Sequence, residues 1–477
     1  MRARVVAASG LATVLAAAPG ALAAPPWAPP RDVTAALPGL VEPSVAFGTD
    51  GNGVLGWSEP WDANVKVRSW VASLRPDGTV VDGRSLAGAL AAPPQVYARN
   101  RTVILRARRR TSDPARVRLD VAFGTTARPL ASRFRRVAEF ETIGDWSGPA
   151  LAASPQGEVA VGWTEFRDGP DGSEETGEHR VMVAFGRAGR RFGRPRRVDG
   201  FSYLERDSQS IALGYGARGD LVMAYGIGRR TAGSPLAVAA RVRRAGRRLG
   251  RQQFLGNRRE NSTMAAAVAP SGRAVVVWAS QDGGEEVHSP WIVRAAIRPP
   301  RGRFSRGTAI DPGDAPYRVP HRLAVTMARD GSATAAWGSV RGPEIGGQFP
   351  VRTATAPPTG GFGPITQLAE IGILGSLVTA ADGTTLITWA NTALGYGFPE
   401  PEPGDVLAAF RSPGTSAFGL PETVSSPEFE DIAPAAAAFD PRTGRPTVVW
   451  RAGSNRTPSS LTGPIGSPRL QLATRSG

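Results

Sequence analysis

Cysteine is absent from the 477 residues, which excludes disulfides, thiol nucleophiles and thiolate metal sites. Lysine is almost absent: Lys66 is the sole lysine among 57 Lys+Arg residues. The three histidines, His179, His288 and His321, lie far apart without metal-ligand spacing and read as loop or surface residues. No Gly-x-Ser-x-Gly elbow, phosphate-cradling glycine loop or His-Glu-x-x-His pair occurs. Beyond the first two dozen residues no apolar run approaches the ~20 residues of a membrane span.

The net charge of +16 would suit a polyanion. Arginine in place of lysine, together with 58 Gly and 42 Pro, reads instead as a composition bias. The basic residues are also spread along the chain without neighbouring aromatic platforms for base stacking, which argues against nucleic acid.

Met1-Arg-Ala-Arg4 is a basic head, and an alanine-rich apolar run follows from Val5 to Ala18. With Ala21-Leu22-Ala23 as a small-x-small cleavage site, residues 1–23 are expected to be a signal peptide, the alternative being a membrane anchor. Residues 24–30 form a Pro-rich segment and residues 31–477 the folded body. The expected location is outside the cell or in its envelope. A secreted chain without disulfides must be stabilised by its core.

That body is repetitive. An alanine-rich segment runs into a glycine turn, and an alternating apolar segment ends on an aromatic residue six positions after the glycine. The pairs are Gly51 and Trp57, Gly157 and Trp163, Gly219 and Tyr225, Gly272 and Trp278, Gly331 and Trp337, Gly383 and Trp389, and Gly444 and Trp450. Between the first two lies a degenerate copy, Gln95-VYARNRTVILRA, with Leu105 at the Trp position. After each aromatic residue come a variable loop, a third segment such as Arg180-VMVAF, a basic or Gly-rich turn, and a fourth. The fourth is marked by pairs such as Phe134 and Phe140, or Phe192 and Val198.

Each copy of roughly 56 residues therefore reads as four antiparallel strands, A to D, joined by hairpins. Such a sheet buries both faces only by stacking on its neighbours, which predicts a single all-β propeller, of eight blades or of seven if the degenerate copy is an insertion. The last copy lacks a D strand, and Arg31-DVTAALPGLV can supply it, closing the ring between the two ends of the chain. The repeat aromatics, Trp57, Trp163, Tyr225, Trp278, Trp337, Trp389 and Trp450, are expected to be core.

This order of strand, Asp-Gly turn, Val-Val-x-Trp strand and Phe-Gly-x-Pro strand resembles the repeats of large secreted propeller proteins of actinobacteria, some of which are similar to sialidase-type propellers. The sialidase Asp box places its Trp three residues after Gly, whereas Gly272 and Trp278 are six apart. No nucleophilic tyrosine or arginine triad is identifiable, so the resemblance implies no catalytic residues.

In a four-strand meander the A-B and C-D turns lie at one end and the B-C loops and D-A crossings at the other. The C-D turns are basic, as in Arg187-AGRRFGRPRR and Arg241-VRRAGRRLGR, and the long B-C loops are acidic. Variable loops on a repeated scaffold are where binding usually resides. The expected binding residues are Glu59, Trp61, Glu165, Asp282, Glu285 and Tyr396. Asp168, Asp171 and Glu174 offer oxygen ligands for a Ca²⁺ ion without matching a calcium loop, and no other cofactor is implied. Arg218-Gly219-Asp220 occupies an A-B turn and is explained by turn chemistry, and Asn100, Asn261 and Asn455 open glycosylation sequons.

The expectation is a secreted, monomeric, non-catalytic binding or scaffold propeller for an extracellular polysaccharide or protein. The alternative is a glycoside hydrolase or lyase with acidic residues over the central channel. A third reading is polyanion binding on the basic C-D end.

Overall fold

The computed structural model describes residues 26–34, 41–58, 67–110, 113–142, 148–167, 177–202, 210–227, 237–257, 263–281, 291–313, 318–341, 350–391, 404–425, 435–453 and 469–475. These residues are all-β, without a helix, and fold as a β-propeller.

The strands form six four-stranded antiparallel sheets and one of nine strands. In five of the six, the order along the sheet follows the chain, as in Ile211–Tyr215, Leu221–Ile227, Ala237–Arg243 and Gln253–Asn257. The large sheet contains two meanders, one spanning residues 95–141 and one spanning 150–202. A single pair, Glu141 opposite Phe166, joins them.

The glycine turns work as their spacing implies. Gly157, Gly219, Gly272, Gly331, Gly383 and Gly444 all have φ between 71° and 98°, which glycine adopts without a Cβ penalty. The degenerate copy solves the same problem differently: Arg99 and Asn100 both take positive φ, 56° and 58°, in the three-residue connection between Tyr97 and Arg101. Asn100 accepts hydrogen bonds at Oδ1 from Thr49 and from the Asp50 amide, so its side chain braces the preceding unit's turn. Asp220 likewise accepts from the Ala245 amide, joining the A-B turn of its unit to the C-D turn.

Both faces of the B strands are buried. Val222, Ala224, Val276 and Trp278 share one core cluster, Val275, Val277 and Trp337 the next, and Ala336 and Trp389 another. Each cluster draws on two units consecutive in the chain, except one that packs Leu55 and Trp57 of the first unit against Val449, Leu470 and Leu472 of the last. All seven repeat aromatics are at most 3% exposed. Leu105 is also fully buried, against the cluster that holds Trp163.

The last sheet takes its fourth strand from the other end of the chain: Arg31 pairs with Leu472 and Asp32 with Gln471. The Pro-rich segment contributes to the same edge. Trp27 bridges Arg475 and donates its indole N–H to Glu422 at 3.1 Å.

The D strands are shorter than the sequence pairs suggest. Phe192, Phe304, Phe362 and Phe418 sit half-buried in the turn before the strand. At three of them the following glycine returns its amide to the C strand, as Gly193 does to the Phe185 carbonyl at 2.9 Å.

Candidate functional site

The two ends of the propeller differ chemically. At the turn end, arginines at strand ends fold inward and spend their donors on the scaffold. Arg298 donates to the carbonyls of Gly272 and Gly302, and Arg273 to those of Gly331, Pro357 and Gly360 in the next unit. Arg411 bonds Thr334, Thr385 and the Thr415 carbonyl. Arg243 ion-pairs with Glu158 of the preceding unit, and Tyr215 donates to the same carboxylate. The basic segment that begins at Arg241 is thus partly engaged by the scaffold. Arg241 and Arg243 are drawn in, because each finds an acceptor on a neighbouring strand or unit: Tyr225 and the Val198 carbonyl for one, Glu158 for the other. Arg190, Arg191, Arg194 and Arg196 stay exposed.

The loop end is where the binding residues were expected. Of these, Glu165 alone is described; Glu59, Trp61, Asp282, Glu285 and Tyr396 lie outside the described residues, as do Asp168, Asp171 and Glu174. Among the described residues no three His, Asp or Glu side chains are grouped to hold a metal ion.

Glu165 stands near the end of the strand Glu158–Arg167, which runs past its four-residue A partner, Ala150–Ala153. Its carboxylate accepts the Trp163 indole N–H at 3.3 Å. Burial raises the carboxyl above the ordinary glutamate range, against the opposing pull of that hydrogen bond and of Arg180 and Arg167. Next to it, Phe166 meets His179 edge to face at 5.2 Å.

His179 is not a loop histidine. It lies on the strand Glu178–Arg187, is 8% exposed, and burial pushes its ring down to about 4. The long B strand carries Phe166 over it, which sequence spacing does not reveal. Glu178 beside it holds Arg180 at 2.8 Å and also Arg197.

Two further groups at this end were not anticipated. The hairpin Arg101–Arg110 and Asp113–Thr125 is basic, correcting the expectation that the B-C connections are acidic throughout. Alternation puts Arg106 and Arg108 on the same side as Arg118 and Asp120. Asp120 is fully buried and accepts from Arg106 at 3.2 Å, Arg108 at 3.0 Å and Arg118 at 2.7 Å. Arg116 follows on the same strand and pairs with Glu141 at 3.2 Å.

The second group lines a cavity of about 310 Å³ between the starts of the innermost strands. Ser210, Thr263 and Arg322 supply its polar surface, with Ile211, Met264 and Leu374 around them. Thr263 Oγ1 is buried there without a hydrogen-bond partner among the described residues.

No protein-family model and no curated protein sequence matches the chain. Solved structures similar to it are propellers of low identity. A polysaccharide lyase described as an ulvan lyase aligns at 8% identity over 82% of this chain and 94% of its own, with a TM-score of 0.44. The β-propeller domain of the trilobed protease from Pyrococcus furiosus aligns at 9% identity over 82% and 96%, with a TM-score of 0.42. An α-L-arabinanase from Penicillium chrysogenum aligns at 13% identity over 70% and 99%, with a TM-score of 0.41. Likeness at this level carries no residue-level or functional inference.

Proposed function

We propose that this chain is an exported eight-unit ring, closed by the pairing of Arg31–Asp32 with the last strand, that binds an extracellular polysaccharide on its loop end without transforming it. One observation carries the reading. Arginines such as Arg273, Arg298 and Arg411 at the turn end are consumed by the scaffold, whereas Glu165, Arg108, Arg118 and Arg322 at the loop end stand at partly open positions. A repeated frame that ties the inward-folded arginines of one end into its own junctions, and holds partly open groups of both signs beside variable loops at the other, is organised for recognition at the loop end.

A second reading has its own support: burial makes the Glu165 carboxyl hold its proton to higher pH than an ordinary glutamate, the direction that a general acid of a hydrolase or lyase requires.

Incubating the protein with cell-envelope polysaccharides and measuring co-sedimentation and soluble sugar in the same tubes separates the two. Retention without release is expected. Sugar release that follows the protein through purification, and that Glu165→Gln abolishes, would replace binding with catalysis.

A further inference from the structure

The basic hairpin is built at a cost. Arg108 and Arg118 are directly opposite each other across the strand pair, and like charges in that position destabilise a sheet. Three guanidiniums surround one carboxylate, so Asp120 balances a single charge and leaves about two over. Arg106 is shielded: its side chain is 13% exposed and its guanidinium lies 3.7 Å over the Phe134 ring. Arg108 and Arg118 are 35% and 39% open. Arg118 reaches Asp120 through Nε, its one hydrogen bond among the described residues, which leaves its two terminal nitrogens without a bond there. Arg116, 43% open, continues the row.

The buried carboxylate therefore gathers Arg106, Arg108 and Arg118, and the side chains of Arg108 and Arg118 stay partly open; a guanidinium fork suits carboxylate and sulfate groups. The row lies where the hairpin meets Ala87 and Gly88 of the preceding unit, with Arg108 and Arg118 partly open beside each other, which favours a chain ligand that touches both. Cα positions there recur every ~5–7 Å, across strands or two residues along one. Among the described residues the aromatic ring at the row is Phe134, and Arg106 lies over it where a base would have to stack.

We propose that Arg108 and Arg118 bind a carboxylated or sulfated polysaccharide, an inference that names the ligand class for the loop-end reading above and rests on it.

The full chain would be titrated with alginate, dextran sulfate, neutral dextran and oligo(dT) over a range of salt. Binding of alginate or dextran sulfate is expected, the tighter of the two identifying the anionic group, with affinity falling steeply as salt rises. The double change Arg108→Gln and Arg118→Gln should weaken it by roughly 10-fold and reduce the log–log salt slope by about 1–2, by counterion release. Arg108→Lys with Arg118→Lys should keep most of the salt slope. Arg190→Ala with Arg191→Ala, at the turn end, should leave binding unchanged, and unaltered thermal melts would establish that each variant is folded. Undiminished anion binding in the Gln variant, loss of binding in the turn-end variant, or tighter binding of oligo(dT) would each overturn the proposal. Retention of neutral dextran alone would overturn it while leaving loop-end polysaccharide binding intact, and retention of no polysaccharide would remove both.

Discussion

Arg298 and Arg411 at the turn end are 3% and 4% exposed and bonded to carbonyls and hydroxyls; Arg108 and Arg118 at the loop end keep over a third of their side chains open around one buried carboxylate. The residue type is the same and the surroundings decide its use. A buried guanidinium bonded to several fixed acceptors stiffens the junctions between units, while a partly open one held by a single carboxylate has donors left for a ligand. High arginine content alone therefore says little about a nucleic-acid or polyanion partner.

The comparison breaks most severely at Asp120. Asp120→Asn should cost about 3–5 kcal/mol in denaturant unfolding, because three guanidiniums lose the buried charge that holds them together. An effect below ~1 kcal/mol would show that solvent already screens the cluster.

A smaller effect is expected at His179. Its ring is depressed to about 4 when folded and would be near 6.5 unfolded, so the unfolded chain binds more protons between these values. Its contribution is present above pH ~6.5 and lost as pH falls to ~4, amounting to roughly 3 kcal/mol. Glu165, with a raised carboxyl, acts in the opposite direction over its own range. Unfolding of His179→Phe across pH 4–7 should show correspondingly less acid destabilisation than the parent; an identical pH profile would place the parent ring in water.

The smallest effect separates the two kinds of turn-end arginine. Arg298→Ala should cost about 1–3 kcal/mol by leaving buried carbonyls without a donor, whereas Arg190→Ala should stay within ~0.5 kcal/mol. Equal melting temperatures for the two variants would remove the distinction between latch and surface charge.

The architecture was legible in the sequence because it rests on local chemistry. A glycine that must take positive φ, followed six residues later by an aromatic residue closing an alternating strand, specifies a hairpin and its register within a few residues, and seven copies specify a stack. The surplus strand at Arg31 was legible too, since the last copy lacked a partner for Arg469–Thr474. The candidate site was less so. His179 looked like a loop residue because its burial depends on Phe166, thirteen positions away and on another strand. Arg106, Arg108, Arg118 and Asp120 share a face only once the hairpin register is fixed, and the degenerate copy, lacking the Trp marker, offered the weakest guide to that register.

The sequence by itself determined the all-β repeat, its turns and its buried aromatics, because backbone conformation and period-2 burial are encoded within each hairpin. The tertiary structure decided which arginines are latches and which are open, how one aspartate gathers three of them, and that Glu165 and His179 lie in surroundings that shift their protons. Those properties depend on which acceptors and apolar groups neighbouring strands and units bring within a few ångströms, and no single repeat carries that information.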